Sequence, residues 1–545
     1  MERRTRVRFA PSPTGPLHMG GVRTALYNYL YAKRNGGDFI LRIEDTDSHR
    51  FVPGAEEYII EALRWCGIFP DEGVDADGKV VETPSARHPH APYRQSQRKP
   101  IYREYAERLV ENGYAYYAFD TPEELEAARS EAEAAKETFI YNQVTRNRMR
   151  NSLTLPADEV GRLLEETTGW TIRFKMPKDT VVKMDDLIRG YIEVNTSTLD
   201  DKVLWKRADE LPTYHLANIV DDHLMEISEV IRGEEWLPSL PLHFMLYKAF
   251  GWEDTMPRFA HLSLLLKPVG NGKLSKRDGD KMGFPVFPLK WVNSEGETSR
   301  GYREDGYFPE AFVNMLAMLG WNPGDDREMF TIDELVEAFS LDKVQKAGAK
   351  FNPDKAKWYN REYLRLKSDE ELADLLTPIL EEHGVNVVDC PKCALTAGAV
   401  FNPVGGDLEK RIFTKDYVRS VVSFTKERAT FVKDFWDIAH YLFIAPEEFI
   451  QKDADKFWKP ENVEMVLKVS DFIKEYDGAW TPLAVGTAIE EFIKGNEWPM
   501  GKVMNALRLA LAGSSSGLGI ADIIYHIGKR ETLRRVDHAV QTISR

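Results

Sequence analysis

RTRVRFAPSPTGPLHMGGVRTALYNYL, residues 4–30, reads as a strand, a tight turn and a helix in immediate succession. Val7 and Phe9 alternate with polar neighbours, as a half-buried strand does, and Pro11 and Pro13 end that run. The chain passes Gly15 and Pro16, and a helical pattern opens just after His18, Gly20 and Gly21. A helix start offers unpaired backbone N–H groups and partial positive charge, a natural seat for phosphate. Gly20 and Gly21 let a nucleotide come close to the backbone. The spacing is neither a Walker A loop, which ends in Gly-Lys-Ser/Thr, nor the GxGxxG of dinucleotide folds.

A second cationic element lies far downstream at Lys273-Leu274-Ser275-Lys276-Arg277, after an apolar run and a glycine-rich turn at Gly270 and Gly272. Two lysines three residues apart on a loop are placed to hold polyphosphate oxygens as charge moves to a leaving group. Taken singly, a His-x-Gly turn is more often a core histidine, and a basic loop is more often a solvated one. Their pairing in this order is specific. His18-Met19-Gly20-Gly21 resembles the HIGH signature of class I aminoacyl-tRNA synthetases, and 273–277 resembles the KMSKS loop of the same class.

Composition agrees with a large, soluble enzyme. The chain has 545 residues, enough for several domains, and 43% are hydrophobic. No apolar run approaches membrane-spanning length, and the basic N-terminus leads into no signal-type stretch, so no membrane association is expected. Three cysteines in so long a chain suit a reducing, cytoplasmic setting. The formal net charge of −15 is awkward for a nucleic-acid binder, but cation placement matters more than the total. Between Lys343 and Lys367 stand eight Lys/Arg against two acids, interleaved with Phe351, Trp358 and Tyr359. Arg146, Arg148 and Arg150 make a second island, and Arg530, Arg534 and Arg535 a third. Taken singly, each of these is better read as a solvated helix face.

Along the chain, residues 1–113 alternate strands and helices, with FILRIED (39–45) as a buried strand. Residues 114–205 change to a charged helix from Thr121 and short strands such as TIRFKMP and YIEVN, the pattern of an inserted α+β domain. The α/β pattern resumes over 206–265, and 266–324 carries the lysine loop. From 325 to 545 the chain is almost wholly helical, with a capping box at Thr331–Glu334 and amphipathic stretches near 370–382, 461–475 and 500–512. Residues 71–92 and 284–304 read as surface insertions.

The resemblance narrows with the further strings LRIEDTD, YRQS, LPTYHLANIVDDHLMEISEVIRGEEW, KLSKRDGD, KWYNREYL and the tail GKVMNALRLALAG…IADIIYHIGKRETLRRVDHA. Together they resemble the glutamyl-tRNA synthetase family over the whole chain; the glutaminyl relatives carry PEPNG before HIGH, which is absent here. The resemblance implies a Rossmann-type catalytic domain with an inserted acceptor-binding domain, followed by an all-α anticodon-binding domain. It implies that Arg8 and Arg232 read substrate carboxylates, that Glu44 meets the ammonium, and that Ala10, Ser12, Tyr214 and Asn218 complete the glutamate pocket. His18, Gly20, Gly21, Glu235, Trp236, Lys273 and Lys276 would hold ATP, with His18, Lys273 and Lys276 catalytic. Lys357, Arg361 and Arg365 are the expected tRNA contacts. The implied partners are ATP with Mg²⁺, L-glutamate and tRNA(Glu), with tRNA(Gln) left open, acting on a monomer. Glutamate activation would wait for bound tRNA.

Other clusters point elsewhere. Cys390-Pro-Lys-Cys393 has zinc-finger spacing without a second pair. Family members that bind zinc do so through cysteines where this chain has Ala118 and Asp120, so no structural zinc is expected. His88-Pro-His90 reads as an exposed loop, Asp221-Asp222-His223 as a pocket-orienting run, and Asp45 and Asp47 as strand-end hydrogen-bond acceptors. The rival readings are a small-molecule nucleotidyltransferase, which leaves the helical half without a purpose, and a silent RNA-binding paralogue, against which the intact His18, Lys273 and Lys276 speak.

Overall fold

A computed structural model describes residues 3–47, 50–389, 402 and 404–543. Cys390 and Cys393 lie outside them. The chain divides into two compact units, Met1–Ala356 and Lys357–Arg545.

In the first unit, Arg6–Phe9 pairs in parallel with Asp38–Leu41, Val7 facing Phe39 and Phe9 facing Leu41. On its other side the Arg6 carbonyl accepts from the Ser228 N–H at 2.8 Å, which sets Glu229–Gly233 alongside. That strand pairs in parallel with Arg258–Leu262. Both central strands are almost wholly buried, as parallel strands covered by helices on both faces should be. The helix Met19–Arg34 buries Val22, Leu26 and Leu30 on this sheet. It carries Lys33 and Arg34 in its last turn, where the helix dipole is negative, and Gly36 takes a positive φ just beyond it.

The inserted segment is not self-contained. Ala115–Ala118, Thr171–Phe174, Val203–Lys206 and Leu211–Pro212 form an antiparallel sheet of their own. Its charged helix Pro122–Ala134 buries none of its residues and is held by a capping box between Thr121 and Glu124. The hairpin Val181–Asp186 and Gly190–Asn195, which contains YIEVN, instead extends the catalytic sheet: Val181–Asp186 runs parallel to Arg258–Leu262, and the Leu187 N–H reaches the Phe259 carbonyl at 2.8 Å.

The second unit is helical, with a small three-stranded sheet of Asn386–Val388, Ile412–Thr414 and Gly406–Asp407 set into it. Its core is the packing of Pro460–Glu475, Pro482–Gly495 and Met500–Ala512 on the long segment Ile520–Ile543, which kinks at Gly528 with φ 79°. Among the described residues no helix is long and apolar enough to cross a membrane.

Candidate active site

Strand Arg6–Phe9 ends at the prolines, and the turn they make delivers His18 to the N-cap of helix Met19–Arg34. His18 Nδ1 accepts from the Gly20 N–H at 3.1 Å, so the ring proton sits on Nε2. That nitrogen is buried with no hydrogen-bond partner among the described residues. Burial, with help from the charge of Lys273, lowers the His18 pKa to about 4, so the imidazole is neutral near pH 7. A neutral donor left unsatisfied, in a residue that lines open space beside a helix N-terminus, suits a phosphate oxygen.

The space is a cavity of about 510 Å³ lined by Ser12, His18, Gly20, Gly21, Glu235 and Lys273 among others. At Gly20 a Cβ would meet nothing closer than His18 Nδ1, at 3.5 Å, so a larger residue there would stand in the cavity. Lys273 is exposed and lies 3.9 Å from Glu235. Lys276 opens the short helix Lys276–Met282, fixed by a capping box between Ser275 and Asp278. Trp236 is outside the cavity lining and stacks on Tyr214 at 4.1 Å. The segment 284–304, expected on the surface, contributes to this wall. Phe284, Val286, Phe287 and Leu289 are buried, the Met19 N–H donates to the Val286 carbonyl at 2.8 Å, and Phe287 meets the His18 ring edge-on. Its buried residues stand together in the run FPVFPL, 284–289, ahead of a polar stretch whose Ser, Glu and Gly dominate the segment's composition.

A second cluster is built on the same strands. Arg8 forms a bidentate pair with Asp222, at 3.0 and 3.2 Å. Arg42 bonds Asp222 at 2.8 Å and Glu44 at 3.0 Å, and Asn218 donates to Glu44 at 3.1 Å. Burial raises the Glu44 pKa even against Arg42 and Arg8. Burial would raise Asp222 too, but Arg8 and Arg42 outweigh it and hold the carboxylate ionised. Arg232 donates to the Tyr214 hydroxyl at 2.8 Å and to His261 Nε2 at 3.0 Å. Ala10, between strand and turn, is half-buried, flanked by backbone bonds from Arg42 to Phe9 and from Glu44 to Pro11. Of the residues expected in a glutamate pocket, Arg8, Glu44, Tyr214, Asn218 and Arg232 thus share one buried polar cluster, while Ser12 lines the neighbouring cavity. Arg42, His243 and His261 belong to this cluster and were not singled out from sequence. Arg42 alone carried a signal, two residues before Glu44 and therefore on the same strand face.

Several clusters are structural. Asp221 accepts from Arg98, Gln95 and Tyr102 at 2.7–2.9 Å, and His223 stacks on Trp252 at 3.6 Å. Asp45 accepts twice from Ser96, at 2.8 and 2.6 Å. His88 is buried, not exposed, and its Nδ1 accepts from the Gly73 N–H at 3.3 Å. Two of the basic islands also change character. Arg146 is buried against Asp201 and the Met176 carbonyl, and Arg535 is buried against Glu531 and the carbonyls of Tyr441 and Leu511. Phe351 and Tyr359 are core residues, Arg365 is paired with Glu362 and Glu427, Arg361 lies 3.5 Å from Glu362, and Lys357 is exposed.

Residues 4–358 match the family described as tRNA synthetases class I (E and Q), catalytic domain, and 371–540 match the anticodon binding domain family. The chain is 52% identical over 544 residues to the glutamate–tRNA ligase of Porphyromonas gingivalis, covering 100% of both chains. It is 51% identical to that of Phocaeicola vulgatus, covering 99% of each. A crystal structure of a glutamate tRNA ligase from Elizabethkingia meningosepticum, in complex with its amino acid, superposes with a TM-score of 0.89 at 50% identity, covering 99% of this chain and 100% of that one.

Proposed function

The chain belongs to the class I tRNA synthetases of the glutamate and glutamine group, and on that premise we propose that it is a glutamate–tRNA ligase. The observation that carries the reading is the neutral His18 Nε2–H at a helix N-terminus, unpartnered among the described residues, in a cavity that Lys273 also lines, together with the buried cluster that holds Arg8, Arg232 and Glu44.

ATP occupies the cavity, its phosphates between His18, the Gly20–Gly21 helix start and Lys273 and Lys276. A magnesium ion brought in with ATP would supply neutralisation of the phosphate charge. Among the described residues no group of three or more His, Cys, Asp or Glu is placed to hold a metal. Glutamate lies in the adjoining cluster, Arg232 and Arg8 toward its carboxylates and Glu44 toward its ammonium. Its α-carboxylate oxygen attacks the α-phosphorus in line, the bond to the β-phosphate oxygen breaks, and pyrophosphate leaves. His18 Nε2–H and the two lysines stabilise the charge that builds on the phosphates. The terminal ribose hydroxyl of tRNA then attacks the glutamyl carbonyl, loses its proton and expels AMP. Lys357 and Arg361, in the second unit, contact tRNA phosphates, with Arg365 available once it leaves its carboxylates.

The test is aminoacylation of purified tRNA(Glu) and tRNA(Gln) with labelled glutamate and ATP. Glutamyl-tRNA(Glu) and AMP are expected; pyrophosphate release without charged tRNA would overturn the reading. Label on tRNA(Gln) as well would identify a non-discriminating enzyme.

A further inference from the structure

Arg232 is held from a place the catalytic reading does not use. It is 4% exposed, and its Nε–H donates to His261 Nε2 at 3.0 Å. Its Nη1 serves the Tyr214 hydroxyl at 2.8 Å and His243 Nδ1 at 3.3 Å, and among the described residues Nη2 has a long 3.5 Å contact to the Trp236 carbonyl. Nη2 is therefore the edge available to a carboxylate. The orientation of that edge depends on His261 presenting a lone pair, not a proton, to Arg232. The tautomer is dictated on the far side of the ring, where His261 Nδ1 meets Asp186 Oδ2 at 2.6 Å. Both side chains are fully shielded from solvent. Burial lowers the His261 pKa although Asp186 opposes it, and in Asp186 the hydrogen bonds from His261, Arg189 and Ile188 outweigh burial. A neutral ring between an ionised carboxylate and a guanidinium can hold its proton only on Nδ1.

We propose that Asp186, acting through His261, is a positioning residue that aims Arg232 at the substrate carboxylate, and that the hairpin carrying Asp186 is thereby part of the amino-acid pocket. This rests on the reading that Arg232 binds glutamate. The geometry makes the consequence of one substitution definite. Asp186 Oδ1 already accepts the N–H groups of Ile188, Arg189 and His261, at 2.9, 2.8 and 3.3 Å. In Asp186→Asn the amide oxygen must therefore stay at Oδ1, which puts the NH₂ against His261 Nδ1. The ring proton is driven to Nε2, where it confronts the Arg232 Nε–H. The same logic makes Asp-to-Asn changes in catalytic Asp–His pairs so damaging. Hydrogen bonds that orient metal-ligating histidines from behind are commonly worth about 10–100-fold, and a histidine that orients an arginine sets a comparable scale.

The experiment measures glutamate and ATP KM in tRNA-dependent aminoacylation for Asp186→Asn, His261→Leu, the double variant and Arg232→Ala. Nitrogen NMR of [¹⁵N]histidine-labelled enzyme reads the His261 tautomer, with His261→Leu supplying the assignment. Asp186→Asn and His261→Leu should each raise the glutamate KM about 10–100-fold with the ATP KM unchanged. The double variant should be no worse than the worse single variant, because both act through one ring. The His261 proton should move from Nδ1 to Nε2 in Asp186→Asn. If Asp186→Asn does not fold, His261→Leu alone decides: a wild-type glutamate KM overturns the proposal. A glutamate KM that stays at the wild-type value in both single variants while Arg232→Ala raises it also overturns the relay and leaves the pocket standing. An unchanged glutamate KM in Arg232→Ala removes the pocket reading itself.

Discussion

Replacing His18 by alanine and by asparagine separates two functions that one ring performs. Nδ1 caps the helix by accepting from Gly20, and Nε2–H has no partner among the described residues in a side chain that lines the cavity. Alanine loses both; asparagine keeps a carbonyl at the capping position, since Asn is among the best N-caps, but its amide falls short of the Nε2 position. His18→Ala should lose about 1 kcal/mol of stability to the missing cap and His18→Asn far less. Both should slow adenylate formation by about 10²–10³, or roughly 3–4 kcal/mol, the usual cost of one preorganised donor to a charged transition state. Acid supplies a second signature. The folded pKa is lowered to about 4 while an unfolded histidine titrates near 6.5. Between those values the unfolded chain binds a proton that the folded one does not, so stability falls as the pH drops through that window. The loss amounts to roughly 3 kcal/mol below pH 4, and His18→Asn should abolish that share of it. Rapid-quench single-turnover assays with tRNA present read the chemistry; denaturant midpoints at pH 7.5 and pH 5 read the stability. A wild-type single-turnover rate in His18→Asn would refute the donor role. Equal midpoints for wild type and His18→Ala at pH 7.5 would refute the cap.

Lys276→Ala should lower the single-turnover rate about 10²–10³-fold while weakening ATP binding only slightly, because its charge matters most as pyrophosphate departs; calorimetric ATP affinity beside quench-flow rates checks this, and the reverse split would make it a mere tether. Asp222→Asn leaves the buried Arg8 and Arg42 short of a counter-charge and should cost about 3–5 kcal/mol, read as a lowered denaturant midpoint together with a raised glutamate KM. Charge reversal at Lys357 and Arg361 should raise the tRNA KM and flatten its dependence on salt, leaving the glutamate KM unchanged; an unaltered salt slope would show that these cations do not meet phosphate.

The strand–turn–helix at the N-terminus was legible because each step leaves a local mark: alternation, prolines, glycines, then an amphipathic face over Met19–Arg34. The capping box at Thr331 was legible for the same reason. The hairpin Val181–Asn195 was not. Its alternating strand fits either sheet, and only the distant pairing of Asp186 with Phe259 chooses between them. Charge counting failed at Arg146 and Arg535 because a sequence shows a cation without its partner; both meet carboxylates and carbonyls in the interior. In the site, Arg8, Glu44, Tyr214, Asn218 and Arg232 came from strings resembling a family. His261 and Asp186 came from neither string nor period, since a buried Asp–His pair on two strands has no spacing to recognise.

The polar interior beneath the pocket bears on how such an enzyme changes its substrate over evolutionary time. Arg8, Arg42, Asp222 and Glu44 form one connected set of charges, which reaches Arg98 through Asp221, 3.8 Å from Arg42. Neutralising any single member strands an opposite charge away from water, whereas replacing both members of a pair can be nearly neutral. A lineage drifting toward an uncharged amino acid therefore meets a valley of unstable single mutants and crosses it only by coordinated replacements. A selection for altered specificity should accordingly be seeded with paired libraries at 8/222 and 42/44 rather than with saturation of one position at a time.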